Sequence, residues 1–357
     1  MLLIVLLCLV GLAAAFFAAH SLYRALARQR HTIAAPGIDE AGWVEIGGIR
    51  QYIQIRGQNA KNPVLLVLHG GPGTPLSAMN HAFQYEWEKD FTVVQWDQRQ
   101  AGKTYYANDP KAVAETLKFD TVLEDAWQVT QYLQKRLGAK KIALMGHSWG
   151  TVLGTALAQT HPEAFSCYIG VGQVTDLKSN ERVGYEKALE LARKAQNAAD
   201  VAALEALEGY PGQVFDEAFC SNMLTLRKYQ QKYGLADAIS LKNVLLVMGS
   251  PYYNFFEALY YTKNTVALHG SLFRYMFEKH DARAFGAAYP MPVYYIMGEN
   301  DFQTPVTLAK ELFSEIEAPQ KQLFLIEGAG HFTMVDNPDN FNRALLGGIR
   351  PTLETQS

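Results

Sequence analysis

The stretch that most constrains this chain is "KKIALMGHSWGTVLG", residues 140–154. An apolar run of strand length passes into a helix-forming run with no loop residues between them. Gly146 and Gly150 flank Ser148 at two residues on either side. A turn that sharp brings strand and helix backbones so close that any side chain at the flanking positions would collide. The turn lifts the Ser148 hydroxyl into the open at a helix N-terminus, whose dipole favours a neighbouring negative charge.

The surrounding pattern is consistent with that junction. "PVLLVLHG" and "FTVVQWDQR" are continuous apolar runs, as expected for parallel strands covered on both faces. "FSCYIGVG", "PVYYIMGEND" and "QLFLIEGAGH" read as further strands ending in loops. "WVEIGGIRQYIQIRG" reads as a hairpin turning at Gly47-Gly48. Thr121 to Leu137 predicts a helix, with Thr121 and Glu124 as a capping box and Gly138 as its stop. Strands alternating with helices predict an α/β fold with a mostly parallel, doubly wound sheet. From about Gln173 to Pro290 the strand pattern lapses into Ala/Leu/Glu-rich helix and an aromatic cluster, "SPYYNFFEALYYTK". This is expected to be a helical cap over the C-terminal edge of the sheet, where ligands bind in such folds. A separate helical domain is the other reading. The expected boundaries are 43–172 and 291–350 for the core, and 173–290 for the cap.

Residues 1–19, "MLLIVLLCLVGLAAAFFAA", hold no charged residue. As a helix they would span roughly 28 Å, close to the thickness of a bilayer's hydrocarbon core. A cleaved signal peptide normally opens with basic residues, whereas Arg24, Arg28 and Arg30 follow the run here. Residues 1–20 are therefore expected to be a single-pass membrane anchor, joined to the core by a linker over 21–42. Secretion after signal cleavage is the alternative, and the side of the membrane is left open. Across the 357 residues the net charge is −3, without a basic run, which argues against a nucleic-acid partner. Cys8, Cys167 and Cys220 lack the spacing of a metal site or a disulfide framework.

A serine nucleophile needs a base, usually His at neutral pH, and that base needs an orienting acid. In this type of fold the three follow in the order Ser, acid, His. His331 in "EGAGHF" lies in a strand-exit loop near the C-terminus. His147 adjoins the nucleophile in sequence and is not expected to face it. Of the two acids in "IMGENDFQTP", Asp301 is preferred to Glu299, because it lies deeper in the loop, just before a helix expected to be capped at Thr304-Pro305. Attack on a carbonyl generates an oxyanion, which preorganised backbone N–H groups must bind. Trp149, following the nucleophile, is one expected donor. The glycine loop "HGGPG" after an earlier strand supplies the other, Gly71, with Gly70 close behind. The glycines match neither G-x-G-x-x-G nor a P-loop, so no nucleotide is implied, and no metal or organic cofactor is expected.

With these residues placed, the chain from about Trp43 to Leu346 resembles the α/β-hydrolase superfamily. "HGGPG", "WDQR" and "GHSWG" in that order look like its proline iminopeptidase group. The resemblance implies a Ser148, Asp301, His331 triad, with Asp97 and Arg99 supporting the loop near the site. It also implies removal of an N-terminal residue, typically proline, from a peptide through an acyl-enzyme. The sequence departs from the group in two places: "DQRQAGKT" replaces a Gly-x-Gly-x-Ser continuation, and none of the five tryptophans lies in the cap. The group's Trp-x-x-Trp-Glu acid, which binds the substrate amine, therefore has no counterpart, and Glu181, Glu186 and Glu257 are not assigned that role. A small peptide is the expected substrate. An ester cleaved by the same triad is the rival, and a non-catalytic, membrane-tethered binding protein is the remote alternative.

Overall fold

The computed structural model describes residues 1–236, 241–263 and 265–353; residues 237–240 and 264 of the expected cap lie outside the described residues. The eight strands of the sheet are β1 (Ile38–Ile46), β2 (Ile49–Gly57), β3 (Val64–Leu68), β4 (Thr92–Asp97), β5 (Ile142–His147), β6 (Phe165–Val171), β7 (Val293–Gly298) and β8 (Lys321–Ile326). Their spatial order is β1-β2-β4-β3-β5-β6-β7-β8. β2 runs antiparallel to both neighbours, and the other pairings are parallel.

The longer helices are α1 (Leu2–Arg30), α2 (Phe119–Leu137), α3 (Trp149–Thr160), α4 (Leu177–Lys194), α5 (Ala198–Glu205), α6 (Glu217–Lys232), α7 (Leu241–Met248), α8 (Gly270–Glu278) and α9 (Val306–Glu315). Alternation along β3 divides the core in two, as the two-residue period of a strand requires. Leu66 and Leu68 face one apolar layer with Leu144 and Trp149, while Leu65 and Val67 face the other with Met145 and Ile169. α4 to α8 all fall between β6 and β7, in the span expected to form the cap.

Three local expectations are corrected. α2 begins at Phe119, with Lys118 at its N-cap and no side-chain capping bond, so Thr121 and Glu124 lie inside the helix. Phe119 stacks on Tyr275 at 3.9 Å between ring centroids, and that tertiary contact draws it into the helix. α9 begins at Val306, with Pro305 at its N-cap; Thr304 does not cap it, because its hydroxyl binds Asp301. The linker is shorter than 21–42, since α1 runs to Arg30 and β1 starts at Ile38.

Val5–Arg30 is long and apolar enough to cross a membrane. Its second half touches the rest of the molecule. His20 Nε2 donates to the Met248 carbonyl at 3.1 Å and the Tyr23 hydroxyl to the Gly249 carbonyl at 3.0 Å. Phe16 and Phe17 pack edge-on against Phe255 at 5.6 and 5.5 Å.

The loop after β4 is a structural hub. Arg99 grips Asp125 of α2 through two N–H groups at 2.7 and 2.9 Å, and donates to the Gly47 carbonyl at the β1–β2 turn at 2.9 Å. Both partners are almost fully buried, so neither can lose the other without leaving a charge in the core. Arg99→Met should cost about 3–5 kcal/mol in urea unfolding, and adding Asp125→Leu should recover much of that loss. Asp97 accepts from the Ser77 and Tyr253 hydroxyls and from Lys103 N at 2.9 Å. Burial pushes its carboxyl up to about 6 against the pull of those donors. The Tyr260 hydroxyl donates to the Gln100 carbonyl at 3.1 Å, and that of Tyr261 to the Pro75 carbonyl. The aromatic cluster thus fastens its segment to the end of β4 and the loops beside it through three hydroxyls.

Candidate active site

The β5–α3 junction adopts the sharp turn that its sequence requires. Ser148 sits at φ 54°, ψ −121°, a conformation that costs a non-glycine residue of order 1–3 kcal/mol. Its own N–H is held by the Val171 carbonyl at 2.9 Å and its carbonyl by Thr151 N at 2.7 Å. A Cβ on Gly150 would stand 2.0 Å from the Leu68 carbonyl oxygen, so the helix can only pass the end of β3 with glycine there. Around the turn, His147, Trp149 and Gly150 are buried, and Ser148 is partly open.

Ser148 and His331 line one cavity of about 390 Å³, together with Gly70, Gly71 and His147. Asp301, fully buried at the end of β7, accepts from His331 Nδ1 at 2.8 Å through Oδ2. Four polar groups converge on that carboxylate. Thr304 Oγ1 also donates to Oδ2, at 2.6 Å, while Gln303 N and Thr304 N donate to Oδ1, each at 2.9 Å. Burial would raise its pKa, but the nearby His331 and the Thr304 donors outweigh that and hold it below the ordinary carboxylate value. With Nδ1–H directed at the carboxylate, Nε2 of a neutral His331 is left as the basic nitrogen. Glu299 lies on the surface beside Gly328 N and makes no such contact.

The glycine loop after β3 borders Ser148. A Cβ on Gly70 would fall 3.0 Å from Ser148 Cβ, and Gly71 adopts φ 111°, which L side chains rarely tolerate. The loop is pinned from behind. His69 Nδ1 donates to the Gly70 carbonyl at 2.9 Å, and its Nε2 accepts from Gln98 N at 3.2 Å. The Gln98 side chain donates to the His69 carbonyl at 3.1 Å and accepts from Trp149 Nε1 at 2.9 Å. Burial lowers the His69 pKa to about 3, so this link stays neutral.

Two of these residues escaped the sequence reading. Gln98 joins the glycine loop to the serine turn; the signal was its place in "WDQR", one residue past β4, which pairs with β3. His147 lines the same cavity, where its ring bonds the His331 backbone and not Ser148. Its Nε2 donates to the His331 carbonyl at 2.9 Å, and burial, with His331 close by, lowers its pKa to about 3. Of the acids considered for amine binding, Glu181 is neutralised by Arg227 and bonded to the Tyr210 hydroxyl at 2.5 Å. Glu257 caps a short helix at Asn254 and lies 3.6 Å from Lys103. Among the described residues there is no cluster of side chains that could hold a metal ion.

A family model described as alpha/beta hydrolase fold matches residues 63–338, which contain Ser148, Asp301 and His331. The chain belongs to the α/β-hydrolase fold family. Within it, the chain is 29% identical over 312 residues to a probable aminopeptidase, YbaC, of Bacillus subtilis, covering 85% of this chain and 93% of that protein. It is 32% identical over 124 residues to a proline iminopeptidase of Neisseria gonorrhoeae, covering 34% and 36% of the two chains. A proline iminopeptidase-related protein of Thermus thermophilus shares the hydrolase fold at a TM-score of 0.53 and 20% identity, covering 88% of this chain and 99% of that one.

Proposed function

We propose that this α/β-hydrolase is a serine hydrolase working through an acyl-enzyme. The observation carrying the reading is the 2.8 Å bond from His331 Nδ1 to Asp301, beside the cavity that Ser148 shares with His331. Ser148 Oγ attacks the substrate carbonyl and its proton passes to His331 Nε2. The oxyanion is bound by the N–H groups of Trp149 and Gly71. His331 then protonates the leaving group as the acyl bond breaks. Water, deprotonated by the same nitrogen, releases the acid and restores the serine. Residues 43–172 and 291–350 form the catalytic core, 173–290 the cap, and the N-terminal helix from about residue 1 to 20 anchors the enzyme to a membrane.

The substrate reading is an aminopeptidase of the proline iminopeptidase type, supported by the names of the relatives. Ester hydrolysis is the second reading, and one observation favours it. The described residues lining the cavity include Met79, Val247, Met248 and Phe332 but no carboxylate, and their cation is Lys263. A substrate ammonium would find no counter-ion among them, whereas an apolar acyl group would be well received. Turnover of proline p-nitroanilide against p-nitrophenyl butyrate separates the two. Anilide cleavage at a kcat/KM at or above that of the ester supports the peptidase, and cleavage of the ester alone overturns it.

A further inference from the structure

The wall of the Ser148 cavity nearest α1 is a single helix, α7, "LKNVLLVM". Val244, Val247 and Met248 line the cavity at helical spacing. Beside that row the helix exposes an apolar flank: Leu245 is 61% exposed, and Phe256 and Leu259, later in the same segment, are 63% and 37% exposed. An apolar patch of this kind is expected to be covered, yet this flank of α7 looks outward. That face adjoins α1, since His20 and Tyr23 bind the carbonyls of Met248 and Gly249 at the end of α7. Phe16 and Phe17 meet Phe255 and Phe256 there. Before Phe16, α1 exposes Leu6, Leu7, Leu9, Val10 and Leu12; after Phe17 it exposes Leu22, Tyr23 and Leu26 and then, at its end, Arg28 and Arg30. Aromatic rings between an apolar rod and basic residues mark the level of a membrane–water interface. Here that level passes through the outer face of α7.

We propose that Leu245, Phe256 and Leu259 rest in the bilayer surface, and that the Ser148 cavity draws its substrate from the lipid phase: an amphiphile whose apolar acyl chain passes α7 to reach the serine. The proposal rests on the serine-hydrolase reading and on α1 as an anchor. It extends them by naming where the substrate is dissolved and what it carries. The contacting face supplies buried apolar area, which is what interfacial binding draws upon.

Labelling by fluorophosphonates tests it without assuming an ester or an amide. Ser148 Oγ bonds to phosphorus as the P–F bond breaks; fluoride departs and the hydroxyl proton passes to His331. Full-length protein in phosphatidylcholine–phosphatidylglycerol vesicles is labelled with a water-soluble ethyl probe and, separately, with a hexadecyl probe dissolved in the vesicles. In Leu245→Glu/Phe256→Glu, the ethyl rate should stay within about twofold while the hexadecyl-to-ethyl ratio falls about tenfold. An unchanged ratio overturns the proposal and leaves the hydrolase reading standing. Failure of the ethyl probe on the unaltered protein overturns both. If the glutamates also abolish ethyl labelling, Leu245→Gln/Phe256→Gln decides by the same ratio.

Discussion

Ser148→Ala is expected to abolish fluorophosphonate labelling and to lower kcat by about 10⁶-fold on any substrate that the unaltered enzyme turns over. Folding should be spared. The strained φ of 54° belongs to the backbone, and the N–H and carbonyl bonds that fix residue 148 remain available to alanine. Thermal unfolding within about 2 °C of the parent would show that the loss is chemical. In the mechanism proposed here the serine and its base act as one unit, so adding His331→Ala should cost little more than the single change. The variant should still exceed the uncatalysed rate by about 10³-fold, since the oxyanion donors proposed at Gly71 and Trp149 are left in place. A variant that kept even a tenth of the parent's kcat would remove Ser148 from the mechanism.

Asp301→Asn should lower kcat by about 10⁴-fold with the geometry nearly intact. Asparagine fits the space, but its amide no longer fixes the proton on His331 Nδ1, and it cannot stabilise the imidazolium. The same change has a second signature in stability. Asp301 titrates below the ordinary carboxylate value in the folded chain. It therefore adds stability that is fully present above the unfolded-state value of about 3.9 and is lost as pH falls through the folded value. The asparagine variant should lack that loss, so its urea midpoint should fall less steeply than the parent's below about pH 4. A matching acid slope in the two proteins would mean that the carboxylate is not held as its four donors imply.

The parts of the site legible in the sequence are those fixed by local backbone demands. Gly146 and Gly150 announced a strand–helix turn, because nothing larger fits beside Leu68 and Thr151. Asp301 was separable from Glu299 by depth in one loop, and Asp301 is the one that meets His331. What escaped depends on partners far away in the chain. Thr304 reads as a helix cap until the carboxylate three residues earlier competes for its hydroxyl. Gln98 earns no notice until β3 and β4 lie side by side and bring His69 and Trp149 to its amide. The bond of His147 to the His331 carbonyl joins positions 184 residues apart, which nothing in the local sequence announces. The docking of α1 on residues 248–256 joins positions more than two hundred residues apart, with no periodicity to announce it.

The three tyrosine hydroxyls that fasten residues 253–261 to the end of β4 and the loops beside it bear on how the chamber exchanges its contents. Swinging that segment outward would take the Tyr253 donor from the buried Asp97 carboxylate, leaving it Ser77 and Lys103 N, and would free two backbone acceptors at once, so this flank behaves as masonry.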